Sequence, residues 1–310
     1  MRMRARHVLL YFGCSRPAET SAPLAVIDDR FPAVFELRRL FFPKFERLSD
    51  RGKFDQGIAG FLDHVQKPIF QAFVEQTEAL TGNPVIEIER ITDDGAMTPL
   101  DGALAGVDTI VVISFDSFRT EQSATAAEVK AIRHFLDNPD HLIFICPHHD
   151  IGEATSNAMG EDRAERQLAE YRHHGDHGIP PRQGFGGFAR TLLAGLGVPV
   201  DNRFGLRPAA AENGEPAPLE IDRSLDELGL LRNVETFNLH PHLPQVERIG
   251  PSTERMDVLA RQKIDLTAPP HPFTRGGRSN FDALLQSRPD TFAGKLLVCA
   301  QPRSVPRQVA

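Results

Sequence analysis

An α/β fold with a mostly parallel, doubly wound sheet is predicted by three features of this sequence. VDTIVVISF (107–115) and HLIFIC (141–146) are continuous apolar runs, the pattern of strands covered on both faces. Between them, SATAAEVKAIRHFLDN has helical periodicity and puts Val129, Ile132, Phe135 and Leu136 on one side. Thr125 and Glu128 have capping-box spacing, which fixes where that helix begins. Strand, helix and strand at this length make a βαβ unit with a right-handed crossover and parallel strands.

The remaining elements follow in chain order. A basic start precedes VLLYFG (8–13), which predicts a first strand; the run is shorter than the ~7–15 apolar residues of a secretory core. FPAVFELRRLFFPKFERL (31–48) predicts a helix broken at Pro43. Ile58, Phe61, Leu62, Val65, Ile69 and Phe73 predict a long amphipathic helix, interrupted at Pro68 and stopped near Gly82. These Phe-rich helices either pack on the sheet or form a subunit interface, which would make the protein a homo-oligomer. PVIEIERI (84–91) alternates as a strand does. EDRAERQLAEYRHH (161–174) reads as a polar helix, and GFGGFARTLLAGLG (184–197) as one that buries Phe188, Leu192, Leu193 and Leu196 before Gly197. AENGEPAPLEID (211–222) reads as a loop. VETFNLH (234–240), MDVLARQKIDL (256–266) and KLLVC (295–299) read as strands, with APPHPFTRGG (268–277) a loop between the last two. Residues 1–300 thus form a single α/β domain with a helical insertion at 31–82, followed by a flexible tail at 301–310.

Composition narrows the function. With 310 residues, 41% hydrophobic and 25% charged, the chain can bury a large core and is not a disordered segment. Its 35 basic and 42 acidic residues give a net charge of -7, so a phosphate-neutralising surface, and with it nucleic acid as a partner, is not expected. The apolar runs fall short of the ~20 residues that cross a membrane. Cys14, Cys146 and Cys299 lie far apart with no C-x-x-C, so neither a disulfide framework nor a thiolate zinc site is indicated, and a reducing, cytoplasmic compartment is expected.

In parallel sheets, ligands bind beyond the carboxyl ends of the strands. That rule selects Asp116 and Arg119 after VVISF, His148, His149 and Asp150 after LIFIC, and His240 and His242 at the end of VETFNLH. His148 and His149 are the first catalytic candidates, with Asp116 orienting one imidazole so that it can deprotonate water or a hydroxyl. Asp116 capping the following turn is the equal alternative. Arg119 and Arg275 can pair with an anionic group of a small polar ligand, beside Asp150 and His242. HHGDHG (173–178) offers His173, His174, Asp176 and His177 as ligands for a divalent metal such as zinc, iron or manganese. Capping or simple exposure of these histidines is the plainer alternative. Arg172 stands where a metallo-β-lactamase motif would need its first histidine, so that fold is not expected.

Strand-end Cys146 followed by His240-Pro241 resembles the class I glutamine amidotransferases, in which a cysteine in a G-x-C-x-G turn and a later H-P-E form a Cys-His-Glu triad. Here Ile145 and Pro147 flank Cys146, and His242 stands in the place of the glutamate. Pro147 biases Cys146 toward extended geometry, away from a strained elbow. The chain is more similar to the ThuA-like (trehalose-utilisation) branch, which lacks the cysteine machinery. VDTIVVIS, the helix at 125–136, LIFICPHHD, FARTLLAGLGVPV and HPFTRG (271–276) carry that likeness, over residues 84–300. It implies an amidotransferase-like, flavodoxin-like three-layer fold more than an activity. The expected function is a cytoplasmic hydrolase or acid–base catalyst on a small polar substrate, centred on His148, His149 and Asp116 with Cys146 and His240 nearby. The alternative is a non-catalytic ligand-binding or assembly module that kept the fold and lost the nucleophile.

Overall fold

The computed structural model describes residues 6–20, 67–116, 120–148, 185–202, 205–215, 217–236, 243–267, 274 and 276–299. The apolar run near the start forms β1 (Val8–Ser15), followed by the short α1 (Arg16–Thr20). After α2 (Lys67–Thr81) come β2 (Ile86–Ile91), α3 (Leu100–Ala103), β3 (Thr109–Ser114), α4 (Ala126–Phe135) and β4 (Leu142–Pro147). The chain continues with α5 (Gly187–Leu196), then the short β5 (Val200–Asp201), β6 (Gly205–Leu206), β7 (Glu220–Ile221), β8 (Leu243–Pro244) and β9 (Glu247–Arg248). It closes with α6 (Ser252–Arg255), β10 (Met256–Lys263), β11 (Asn280–Ser287) and β12 (Lys295–Cys299).

Eight strands form one mixed sheet in the order β2-β1-β3-β4-β12-β11-β10-β7. The first five run parallel to one another, and β12, β11, β10 and β7 form an antiparallel flank. β3 and β4 are parallel neighbours in register from Thr109↔Leu142 to Ser114↔Pro147, so their tips lie side by side. The helix between them starts where the sequence places it. Thr125 Oγ1 accepts from Glu128 N at 3.2 Å, and Thr125 N donates to Glu128 Oε2 at 2.7 Å.

Alternation along the inner strands divides the core into two. Leu9, Tyr11, Ile110, Val112, Ile143, Ile145, Leu296 and Val298 pack with α4 and α5 on one face. Leu10, Phe12, Cys14, Val111, Ile113, Phe115 and Cys146 turn to the other, where Phe70 and Val74 of α2 cover them. The sheet is therefore covered on both faces, which is why its inner strands read as unbroken apolar runs.

Two local expectations are corrected. α2 begins at Lys67 with Pro68 in its first turn, where a missing N–H removes no helical hydrogen bond, and the upstream part of the predicted helix, from Ile58 to Val65, lies outside the described residues. Gly82 does end that helix, at φ 72°. Val234, Glu235 and Thr236 are not a strand, because the guanidinium of Arg223 holds the carbonyls of Leu231 and Val234 in a turn. β11 was not expected, since NFDALLQS lacks β-branched residues; pairing with β10 and β12 on its two sides overrides that weak propensity. The predicted helices at 31–48 and 161–174, the rest of VETFNLH, and the tail at 301–310 lie outside the described residues.

A buried ion pair ties both ends of this architecture together. Arg90 of β2 reaches Glu128 of α4 through Nε at 2.7 Å and Nη2 at 3.1 Å, and Tyr11 OH donates to Glu128 Oε1 at 3.3 Å. The same guanidinium donates to Gln122 Oε1 and Ser123 O and lies 4.8 Å from the centre of the Phe188 ring. Burial pushes the Glu128 carboxyl up, but the hydrogen bonds from Arg90 and from Thr125 N outweigh it and hold the group below its ordinary range. Its stabilisation is therefore present above the unfolded pKa of about 4.3 and is lost as pH falls through the lower folded value. Glu128→Ala removes the capping box and leaves Arg90 buried without its carboxylate. Urea unfolding at neutral pH should show a loss of about 3–5 kcal/mol, and the deficit should narrow toward acid pH.

Candidate functional site

The tips of β3 and β4 meet the start of α5. Asp116, just past β3, is wholly inaccessible to solvent. Its Oδ1 accepts from Ser114 Oγ at 2.5 Å and its Oδ2 from Phe188 N at 2.9 Å. Ser114 Oγ in turn accepts from Ala189 N at 3.0 Å, and Asp116 O accepts from Gly186 N at 3.0 Å. The cap position of α5 is Gly186, which has no side chain to offer the first-turn amides and sits at φ 71°. A Cβ there would lie 2.8 Å from His148 O, so the backbone must stay bare at this contact. Two strand-tip side chains therefore supply the cap that the helix cannot supply itself. Asp116 does cap, and the helix it caps lies far along the chain; residues 117–119, the turn that follows it, lie outside the described residues.

Electrostatics follow from that setting. Burial pushes the Asp116 carboxyl up; the hydrogen bonds from Ser114 and Phe188 N and the charge of Arg190 oppose this only in part, and the net shift is upward.

His148 continues the ladder beyond β4, its N–H donating to Ser114 O at 2.9 Å. Its carbonyl accepts from Asn202 Nδ2 at 3.0 Å, and the same amide donates to Pro147 O at 3.3 Å. The half-buried imidazole lies between two phenyl rings, Phe115 at 5.0 Å and Phe185 at 5.2 Å between centroids. Aromatic packing on both sides thus helps to set where the ring lies. Asn202 belongs to this rim and sequence reasoning missed it. So was Gln245, across the ribbon in which β5 pairs β9 and β6 pairs β8. Asn202 Oδ1 and both amide atoms of Gln245 are buried without a hydrogen-bond partner among the described residues. A polar residue directly after VPVD and another inside LPQV were the only signals available.

Cys146 is not at an exposed elbow. It lies within β4 opposite Ile113, fully buried, with its Sγ 3.2 Å from that of Cys299. Burial, then the contact with Cys299, pushes this thiol well above the usual range, so it stays protonated. Asp116 also faces α5 while Cys146 faces α2, so the sheet separates them.

At the neighbouring tip, Arg16 follows β1 and is committed to Glu89, with Asp93 at 3.4 Å. Of the predicted site residues, the structure places Asp116, Cys146 and His148 at one end of the sheet. Arg119, His149, Asp150, His173, His174, Asp176, His177, His240, His242 and Arg275 lie outside the described residues. Among the described residues, no three His, Cys, Asp or Glu side chains gather as a metal site, and no helix is long and apolar enough to cross a membrane. Family models, curated proteins and solved structures yield no match to the chain. Fold and rim together define an α/β protein whose large sheet is mostly parallel.

The raised carboxyl has a defined consequence. Folded Asp116 keeps its proton to a higher pH than the unfolded chain does, so its contribution makes stability fall as pH rises between the two values. Asp116→Asn keeps an acceptor for Phe188 N and should flatten that dependence. Asp116→Ala strands a buried amide and should lose about 1–3 kcal/mol. Urea unfolding across a pH series checks both.

Proposed function

We propose that this chain is a ligand-binding module on an amidotransferase-like fold, nearest the trehalose-utilisation branch, that works without a cysteine nucleophile. The observation that carries this reading is the full burial of Cys146 within β4, opposite Ile113. Asp116 supports it, because both of its oxygens serve the start of α5. The binding surface is the mouth at the ends of β3 and β4, where the His148 imidazole stands between Phe115 and Phe185. Arg119, Asp150, His242 and Arg275 follow predicted or observed element ends and give the ligand its class, a small polar molecule with an anionic group.

A second reading is favoured by the half-buried His148 ring. An imidazole held by packing at a strand tip suits proton transfer, with His149 and His240 as partners. In that reading the protein is a hydrolase, and His173, His174, Asp176 and His177 hold a divalent metal.

Alkylation of the native chain by iodoacetamide at neutral pH tests the leading reading. Cys146 should react at least about a hundredfold more slowly than in the urea-unfolded chain, because it reacts only when the structure opens. Labelling of Cys146 at the rate of an exposed thiol would overturn it. Histidine-dependent turnover of an ester probe, lost in His148→Ala with the melting temperature kept, would transfer the case to the second reading.

A further inference from the structure

We propose that Cys146 and Cys299 are a redox-responsive pair, converted by a peroxide into a disulfide that ties β4 to β12 at the end of the sheet where ligands bind. β4 and β12 are parallel neighbours, and Val298 pairs with Ile145, so the two cysteines are the next residues along the same register. Adjacent strands lie about 4.8 Å apart, within the ~4.4–6.8 Å that separates the Cα atoms of bridged cysteines. Their sulfurs are already 3.2 Å apart, on the same side of the sheet. Cys299 is half-buried, which gives a small oxidant an approach that fully buried Cys146 lacks. Cys14 lies on β1, with β3 between it and β4. Two strand spacings, about 9–10 Å, put it beyond the reach of a disulfide with either partner.

The chemistry balances with hydrogen peroxide as the oxidant. The Cys299 sulfur takes one peroxide oxygen, the O–O bond breaks, and one water leaves, giving a sulfenic acid. The Cys146 sulfur then displaces that oxygen, forming the S–S bond and releasing a second water with the Cys146 proton. Two thiols have lost two electrons, and the peroxide has gained them. A dithiol reductant reverses the bond by exchange. Because Cys146 stands two residues before His148, the bridge fixes the strand that carries the imidazole.

The test uses the full chain, hydrogen peroxide, a thiol count in denaturant and a non-reducing peptide map. Three free thiols should fall to one, with Cys146 linked to Cys299 within a single chain, and dithiothreitol should restore all three. Cys14→Ser should fall from two thiols to none, while Cys299→Ser should keep both of its thiols. Persistence of three thiols, a bridge that includes Cys14, a bridge between chains, or sulfinic acid at Cys299 without a bridge would each overturn the proposal.

Discussion

A helix that starts inside a dry sheet edge has amide hydrogens that water cannot reach, and this constraint organises the structure. α5 begins against the tips of β3 and β4 with glycine at its cap, so Ser114 and Asp116 satisfy Phe188 N and Ala189 N from outside the helix. The arrangement requires β3 to end level with β4, which the parallel register of the two strands guarantees. It also requires close approach. A side chain at Gly13 would meet the Phe188 ring at 2.4 Å, and one at Gly195 would meet Val129 at 2.6 Å. Absent side chains on β1 and α5 thus let the helix settle on the sheet and against α4.

Two buried carboxyls show how surroundings decide charge. Glu128 faces a guanidinium and a backbone N–H, and its anion is favoured. Among the described residues Asp116 meets neutral donors, Ser114 Oγ and Phe188 N, and burial pushes its carboxyl up. The first is an ion pair that joins β2 to α4; the second serves a helix start. His148 differs: its half-buried ring lies between Phe115 and Phe185, while its backbone is fixed on both sides by Ser114 and Asn202.

The central βαβ unit was legible in the sequence because its signals are local: two apolar runs and a capping box whose members are three residues apart. The strand-end rule likewise located Asp116 and His148 at one end of the sheet. What each does was not legible, because each partner is distant in sequence. Phe188 is 72 residues from Asp116, and Cys299 is 153 from Cys146. Asn202 and Gln245 gave no pattern at all, since a single polar residue beside a two-residue strand has no periodicity to read. β11 was missed for another reason: Asn280–Ser287 is a strand through its neighbours and not through its own residues.

Amide hydrogen exchange at the start of α5 tests the central claim most directly. First-turn amides of an ordinary helix lack acceptors and exchange readily. Here Phe188 and Ala189 should exchange only as slowly as the amides of β3 and β4, through the opening of the whole sheet. Exchange of Phe188 and Ala189 at the rate of a solvent-exposed helix start would contradict the account.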